Sequence, residues 1–229
     1  MSPKKIRISK HMMKEDKLVT IAFRLSEWVQ KNTQKILTLA GVVVAIGVIA
    51  FIIFSTRARR SESAYQLLGN ATVAFRVGNL NQAISDMETI TSKYGGTKAA
   101  PQASFLLGNL LFFTGQFDQA ISAFEEFRKK YKQDPFLLVS STSGIAQCYL
   151  EKKEFGRAGD FFIQAFESDP QGVLAKKCLL SAGFSYGWAK DFEKAKSAYQ
   201  KVLELFPEAP EATKAKMELA EINFRYAEK

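Results

Sequence analysis

From Ile36 to Phe54 the chain reads ILTLAGVVVAIGVIAFIIF, nineteen residues without a charge. A core helix would carry a polar edge, and here Thr38 is the one strong hydrogen-bonding side chain. At 1.5 Å per residue the run spans about 28 Å as a helix, close to the ~30 Å of a bilayer's hydrocarbon layer. The pattern predicts a membrane-crossing helix over residues 36–55. The run is too long for a cleaved leader, follows 35 residues of chain, and leads into Arg57, Arg59 and Arg60 rather than a small-residue cleavage site. Neither cysteine follows it closely, so a lipid-attachment box is absent. An uncleaved anchor is the expectation.

Before this run, Leu18, Ala22, Leu25 and Val29 recur at helical spacing, widened by Val19, Ile21, Phe23 and Trp28, with basic residues opposite. Two readings stand for this amphipathic helix at 13–32. It docks a partner, or it lies on the headgroups with Trp28 in the interfacial aromatic belt.

After the run the pattern becomes periodic. NLNQAISDMETI (79–90), QFDQAISAFEEF (116–127), EFGRAGDFFIQA (154–165) and DFEKAKSAYQKV (191–202) align on Ala83, Ala120, Ala158 and Ala195, which are 37, 38 and 37 residues apart. Three residues before each alanine stand Leu80, Phe117, Phe155 and Phe192. Four after it stand Met87, Phe124, Phe162 and Tyr199, and seven after it Ile90, Phe127, Ala165 and Val202. This is the rhythm of an amphipathic helix. Twelve residues before each alanine comes Ala71, Gly108, Ala146 or Gly183, on an earlier helix. Each unit therefore predicts two helices joined by a short turn, at Gly78, Gly115, Lys153-Glu154 and Lys190-Asp191. The small residue is expected to face the aligned alanine so that the two backbones approach closely. Tyr94, Tyr131, Pro170 and Pro207 mark the ends of the second helices.

These residues resemble the tetratricopeptide repeat family over about residues 64–207, with a closing helix from Glu211 to Tyr226. Leu219-Ala220 lies 37 residues after Ala182-Gly183 and repeats the first-helix position once more. The period exceeds the common 34 residues of that repeat. In this it is similar to the bacterial envelope subgroup, whose hairpins are joined by stretches such as Ala100-Pro101 and Ala209-Pro210. The expected fold class is all-α: a tetratricopeptide-type helical hairpin solenoid of about four repeats plus a closing helix, preceded by one transmembrane helix. The domains are then 1–35 (basic tail with the amphipathic helix), 36–55 (span) and 56–229 (repeat domain). No proline interrupts residues 36–77, so the span is expected to run on into the first repeat helix.

Charge changes the picture in one respect. Of the net +9, residues 1–35 hold nine Lys or Arg against three Asp or Glu. A nucleic-acid binder would carry that excess on its folded domain. Here it precedes the span and acts as a topology signal, which keeps the N-terminus in the cytoplasm and sends the repeat domain into the bacterial periplasm. No nucleic-acid partner and no small-molecule substrate are expected.

Candidate chemistry is sparse. His11 is the one histidine and precedes the span, so no histidine-based acid–base pair, triad or zinc site is available to the repeat domain. There is no glycine-rich phosphate loop and no G-x-S-x-G turn. Catalytic, cofactor and metal sites are all expected to be absent, and the chain is expected not to be an enzyme. Cys148 and Cys178 lie on first helices of adjacent repeats. A bridge is conceivable in an oxidising compartment, but the two positions differ by about two turns, which favours buried free thiols.

The tetratricopeptide resemblance implies a concave wall of first helices that holds proteins or peptide segments. Carried over position by position, that wall takes Leu68, Thr72 and Phe75 from the first repeat and Phe105, Asn109, Phe112 and Phe113 from the second. Ser143, Gln147 and Leu150 come from the third, and Leu180, Phe184 and Trp188 from the fourth. Aromatics there would suit apolar segments. In the other reading, Phe112, Phe113 and Trp188 tuck into the hairpin core or meet the closing helix. The carboxylate-clamp pattern of chaperone-binding members is not matched: Asn109 fits, but Leu68 and Thr72 stand where Lys and Asn are required.

The layout of basic tail, span and repeats resembles the ancillary-subunit family of the bacterial Sec translocon, inner-membrane proteins that contact secreted chains and periplasmic chaperones. It implies a non-catalytic, membrane-anchored adaptor in envelope protein traffic, with translocon subunits or secreted chains as partners. Three alternatives stay open: a coordinator of envelope constriction like the Tol-Pal-associated repeat proteins, an outer-membrane assembly factor, and a structural membrane organiser acting through the helix at 13–32.

Overall fold

The structure, a computed structural model, describes residues 10–132 and 134–227, with side chains from residue 19 to residue 224 within those ranges. The start of the basic tail and the side chains of His11 and Tyr226 lie outside the described residues. The chain divides into two compact units, the first ending at Ala58 and the second beginning at Arg59.

The first unit holds α1 (Lys10–Lys31) and the leading part of α2 (Thr33–Arg76). At their junction Asn32 Nδ2 donates to Trp28 O at 2.8 Å and Thr33 Oγ1 to Val29 O at 2.8 Å, so side chains satisfy carbonyls that the break leaves open. Among the described residues α2 is the one helix long and apolar enough to cross a membrane, with mean hydropathy 3.0 over its apolar stretch and none of that stretch buried. Phe51 is 71% and Phe54 75% exposed.

The second unit begins with α2 from Arg59 and continues through α3 (Leu80–Lys93), α4 (Ala100–Phe113), α5 (Phe117–Lys130), α6 (Pro135–Glu151), α7 (Phe155–Ser168), α8 (Ala175–Trp188), α9 (Phe192–Leu205) and α10 (Pro210–Ala227). No strand occurs among the described residues. From α3 onward each helix packs on the next, and α4 also meets α6 and α8 meets α10. This is the all-α hairpin solenoid that the period predicts.

The four turns within the repeats share one geometry. Gly78, Gly115, Lys153 and Lys190 all take the left-handed conformation, with φ of 79°, 76°, 61° and 62°. Behind each, an amide reaches back across the helix end: Asn79 N to Ala74 O, Gln116 N to Leu111 O, Glu154 N to Tyr149 O and Asp191 N to Tyr186 O, all at 2.8–2.9 Å. The left-handed residue itself donates to Phe75, Phe112, Leu150 or Gly187 O. These paired bonds close the first helix and point the chain back along it. The carboxylate of Asp191 and the amide oxygen of Asn79 then cap the following helix.

Ala83, Ala120, Ala158 and Ala195 are fully buried, and two clusters of buried side chains run along the unit. Leu150 and Phe161 pack against both clusters and make the core continuous. At Gly108 and Gly183 the nearest side chain is an aromatic ring. A Cβ at Gly108 would fall 2.5 Å from Phe124 Cε1, and one at Gly183 would strike the Tyr199 ring. Gly144 receives the opposite edge of Phe124, and Gly159 receives Tyr186. The glycines therefore seat aromatic rings projecting from neighbouring helices.

Candidate binding groove

A groove of about 370 Å3 opens between α4, α6 and α8. α4 contributes Phe105 and Asn109, and α6 contributes Phe136, Ser140, Ser143, Gly144 and Gln147. α8 contributes Lys177, Cys178 and Ser181, and Phe162 and Leu174 complete the lining. The spacing explains the placement: Ser140, Ser143 and Gln147 fall on one face of α6, and Lys177 and Ser181 on one face of α8.

The floor is apolar. Phe105 lies 6.1 Å from the Phe124 ring and 5.9 Å from the Phe127 ring, and both of those are buried in the core. Gly144 packs directly against the Phe124 ring, which a Cβ there would meet at 2.7 Å. Across the base, Ser143 Oγ and Cys178 Sγ are 3.4 Å apart and join α6 to α8. Burial pushes the Cys178 thiol above its ordinary pKa, against the opposing effect of its contact with Ser143. Cys148 is buried on α6, and both cysteines are free thiols.

The rim is polar and open. Asn109 and Gln147 are exposed, and among the described residues neither side chain has a hydrogen-bond partner. Each amide carries two donors and an acceptor. Phe136 is 55% exposed, and Lys177 supplies the one cation of the lining. An apolar floor below free amides is suited to an extended peptide: side chains enter the floor, and main-chain groups bond the amides.

The structure brings together only some of the residues expected on the inner wall. Phe105, Asn109, Ser143 and Gln147 line the groove. Leu68 and Leu180 do not, and the expectation that they meet a guest is corrected: at 6% and 8% exposure they belong to the core, since their helix faces turn toward the hairpins. Thr72 is half-buried and bonds Leu68 O on its own helix at 2.8 Å. Phe112 packs on Phe117 with centroids 5.7 Å apart, as in the core reading of that residue. Phe75 and Phe113 are exposed but meet edge-on at 6.3 Å near the turns. Phe184 and Trp188 stack at 6.4 Å, and Trp188 lies beside Phe155 at 5.7 Å, again at a turn. Phe136, Ser140, Lys177, Cys178 and Ser181 were missed. For Phe136 and Ser140 the signal was present as the α6 face shared with Ser143 and Gln147, and for Lys177 and Ser181 as the α8 face shared with Phe184.

Among the described residues no group of three or more His, Cys, Asp or Glu is placed to hold a metal ion.

The tetratricopeptide repeat-like domain family matches residues 26–223 by sequence. A tetratricopeptide repeat protein from Parabacteroides merdae is similar in structure, with a TM-score of 0.59 and 16% identity over 73% of this chain and 62% of that one. The apo form of RapI gives 0.58 and 18% over 72% of this chain and 65% of that one, so this chain spans less than two thirds of either relative. MamA from Desulfovibrio magneticus, from its residue 41 onward, gives 0.55 and 18% over 72% and 85%. At these identities the likenesses show the fold alone. No curated protein matches by sequence.

Proposed function

The chain belongs to the tetratricopeptide repeat-like domain family, and from that premise we propose that it is a non-catalytic, membrane-anchored adaptor that holds extended segments of other proteins. The observation that carries this reading is the groove between α4, α6 and α8, where the exposed amides of Asn109 and Gln147 stand over the floor made by Phe105. Solenoids present such concave walls to their partners. The exposed apolar stretch of α2 supports the anchor. In this reading residues 1–35 stay in the cytoplasm, 36–55 span a bacterial inner membrane, and 56–229 work in the periplasm on secreted chains or translocon subunits. The excess of basic residues before the span supports that direction.

A photoreactive residue replacing Phe136, activated in intact cells and followed by mass spectrometry, tests the proposal. Secretory polypeptides or translocon subunits are the expected adducts. Wall-synthesis enzymes alone would favour the constriction coordinator. Removing residues 1–30 should leave these adducts intact, whereas a membrane organiser acting through α1 would lose them.

A further inference from the structure

The second half of α1 is built on two sides. Ile21, Leu25, Trp28 and Val29 follow one another at helical spacing, which sets them on one face. All four are exposed, Leu25 at 60% and Trp28 at 58%. Arg24 and Lys31, two turns apart, border that face on the side of Trp28. Glu27, the one acid among residues 19–35, lies opposite, and Phe23 also falls on that far side.

The place of this face along the chain decides what covers it. Asn32 precedes Ile36, where the charge-free run begins, by one helical turn, or about 6 Å. At Asn32 the helix is interrupted. Its amide is shared between Trp28 O at 3.0 Å and Val29 O at 3.2 Å. The Thr33 hydroxyl donates to Val29 O at 2.8 Å and to Gln30 O at 2.9 Å. Side-chain groups inserted into the ladder are a standard cause of helix bends. With the run in the hydrocarbon layer, the interruption stands at the depth of the headgroups. A helix that turns there runs along the surface, and the covalent link already holds its apolar face beside lipid.

We propose that α1 lies flat on the membrane that α2 crosses, with a negatively charged lipid surface as its occupant. Ile21, Leu25, Trp28 and Val29 meet acyl chains, and Arg24, Lys31 and Lys35 meet the phosphates of acidic phospholipids. The proposal rests on the anchored reading of α2 given above. Long basic side chains bordering an apolar face keep their charged heads at the polar layer, and an indole is at home at that depth. Each Lys or Arg held at an anionic surface strengthens the association about fivefold.

The test reconstitutes the full chain into vesicles of phosphatidylcholine and phosphatidylglycerol, with a nitroxide on single introduced cysteines. Cys148 and Cys178 are buried, so the unsubstituted chain sets the background. Oxygen reports contact with lipid, and a nickel chelate on both sides of the vesicle reports contact with water. Val43→Cys, inside the apolar run, checks the anchor by itself. Leu25→Cys is expected to be open to oxygen and shielded from nickel, and Phe23→Cys the reverse. Adding Arg24→Gln and Lys31→Gln should lower the ratio of embedded to water-exposed Leu25 label about 25-fold, with the Val43 label unmoved. A Leu25 label open to nickel, one shielded from both agents as in a protein contact, or embedding indifferent to the two charges would each overturn the proposal. With Val43 in lipid those outcomes remove the placing of α1 alone, whereas a Val43 label in water overturns the anchor together with it.

Discussion

The ring of Phe124 lies between two glycines, one on the helix before it in the chain and one on the helix after. Gly108 and Gly144 would each place a Cβ within 2.7 Å of ring carbons. Alanine is the better helix former by about 1 kcal/mol, yet overpacking a filled core costs about 1–3 kcal/mol. Gly108→Ala is therefore expected to lower stability, with a fall in the urea midpoint, and Phe124→Leu in the same chain should make the added methyl cheaper. The alternation of small and large residues was legible in the sequence. Which large residue covers which small one was not, because the crossing of successive helices decides it. Cys148 gives a second test at this scale. Burial holds its pKa up at about 11, against an ordinary value of 9.0. The folded state therefore keeps a proton that the unfolded state releases. This contribution to stability is complete below about pH 9 and is lost as pH rises toward 11. Thermal unfolding followed from pH 8 to 10.5 should show the decline, and Cys148→Ala should flatten it. Native protein at pH 8 should leave both thiols unreactive toward a thiol reagent until denaturant is added.

The helix-closing turns carry the prediction at the scale of elements. Four equivalent residues adopt positive φ, and glycine occupies only the first two positions. A left-handed non-glycine residue costs about 1–2 kcal/mol, partly offset by the ~0.5–1 kcal/mol that glycine loses in ordering. Lys190→Gly should thus raise stability by about 0.5–1 kcal/mol, and Gly115→Ala should lower it by about 1 kcal/mol. Chemical denaturation of the two variants checks both signs. Gly78 and Gly115 announced their turns by residue type. Lys153 and Lys190 could be placed only through the period, since lysine carries no preference for that conformation. Regular spacing made the hairpins readable even where the local chemistry was silent.

Over the whole molecule, the hairpin order followed from the period, while the groove was only partly visible. Position-by-position transfer placed thirteen residues on an inner wall across four repeats. The wall that opens belongs to repeats two to four, and it keeps Phe105, Asn109, Ser143 and Gln147 from that set. Leu68 and Leu180 were lost to the core because a leucine at helical spacing looks the same whether it faces a guest or the next hairpin. The apolar stretch of α2 was legible as one helix long and apolar enough to cross a membrane, from its length and freedom from charge. Membranes from cells expressing the full chain should retain it after an alkaline carbonate wash, and release of the chain would contradict the anchor. The central claim is that the amide-rimmed groove holds peptide segments, and the most direct measurement titrates a synthetic copy of a segment captured at Phe136 into the full chain. Replacing Asn109 and Gln147 together with alanine removes two hydrogen-bonding groups worth about 1 kcal/mol each. The account predicts affinity weakened by about tenfold or more with an unchanged melting temperature, and unaltered affinity in that double variant would contradict it.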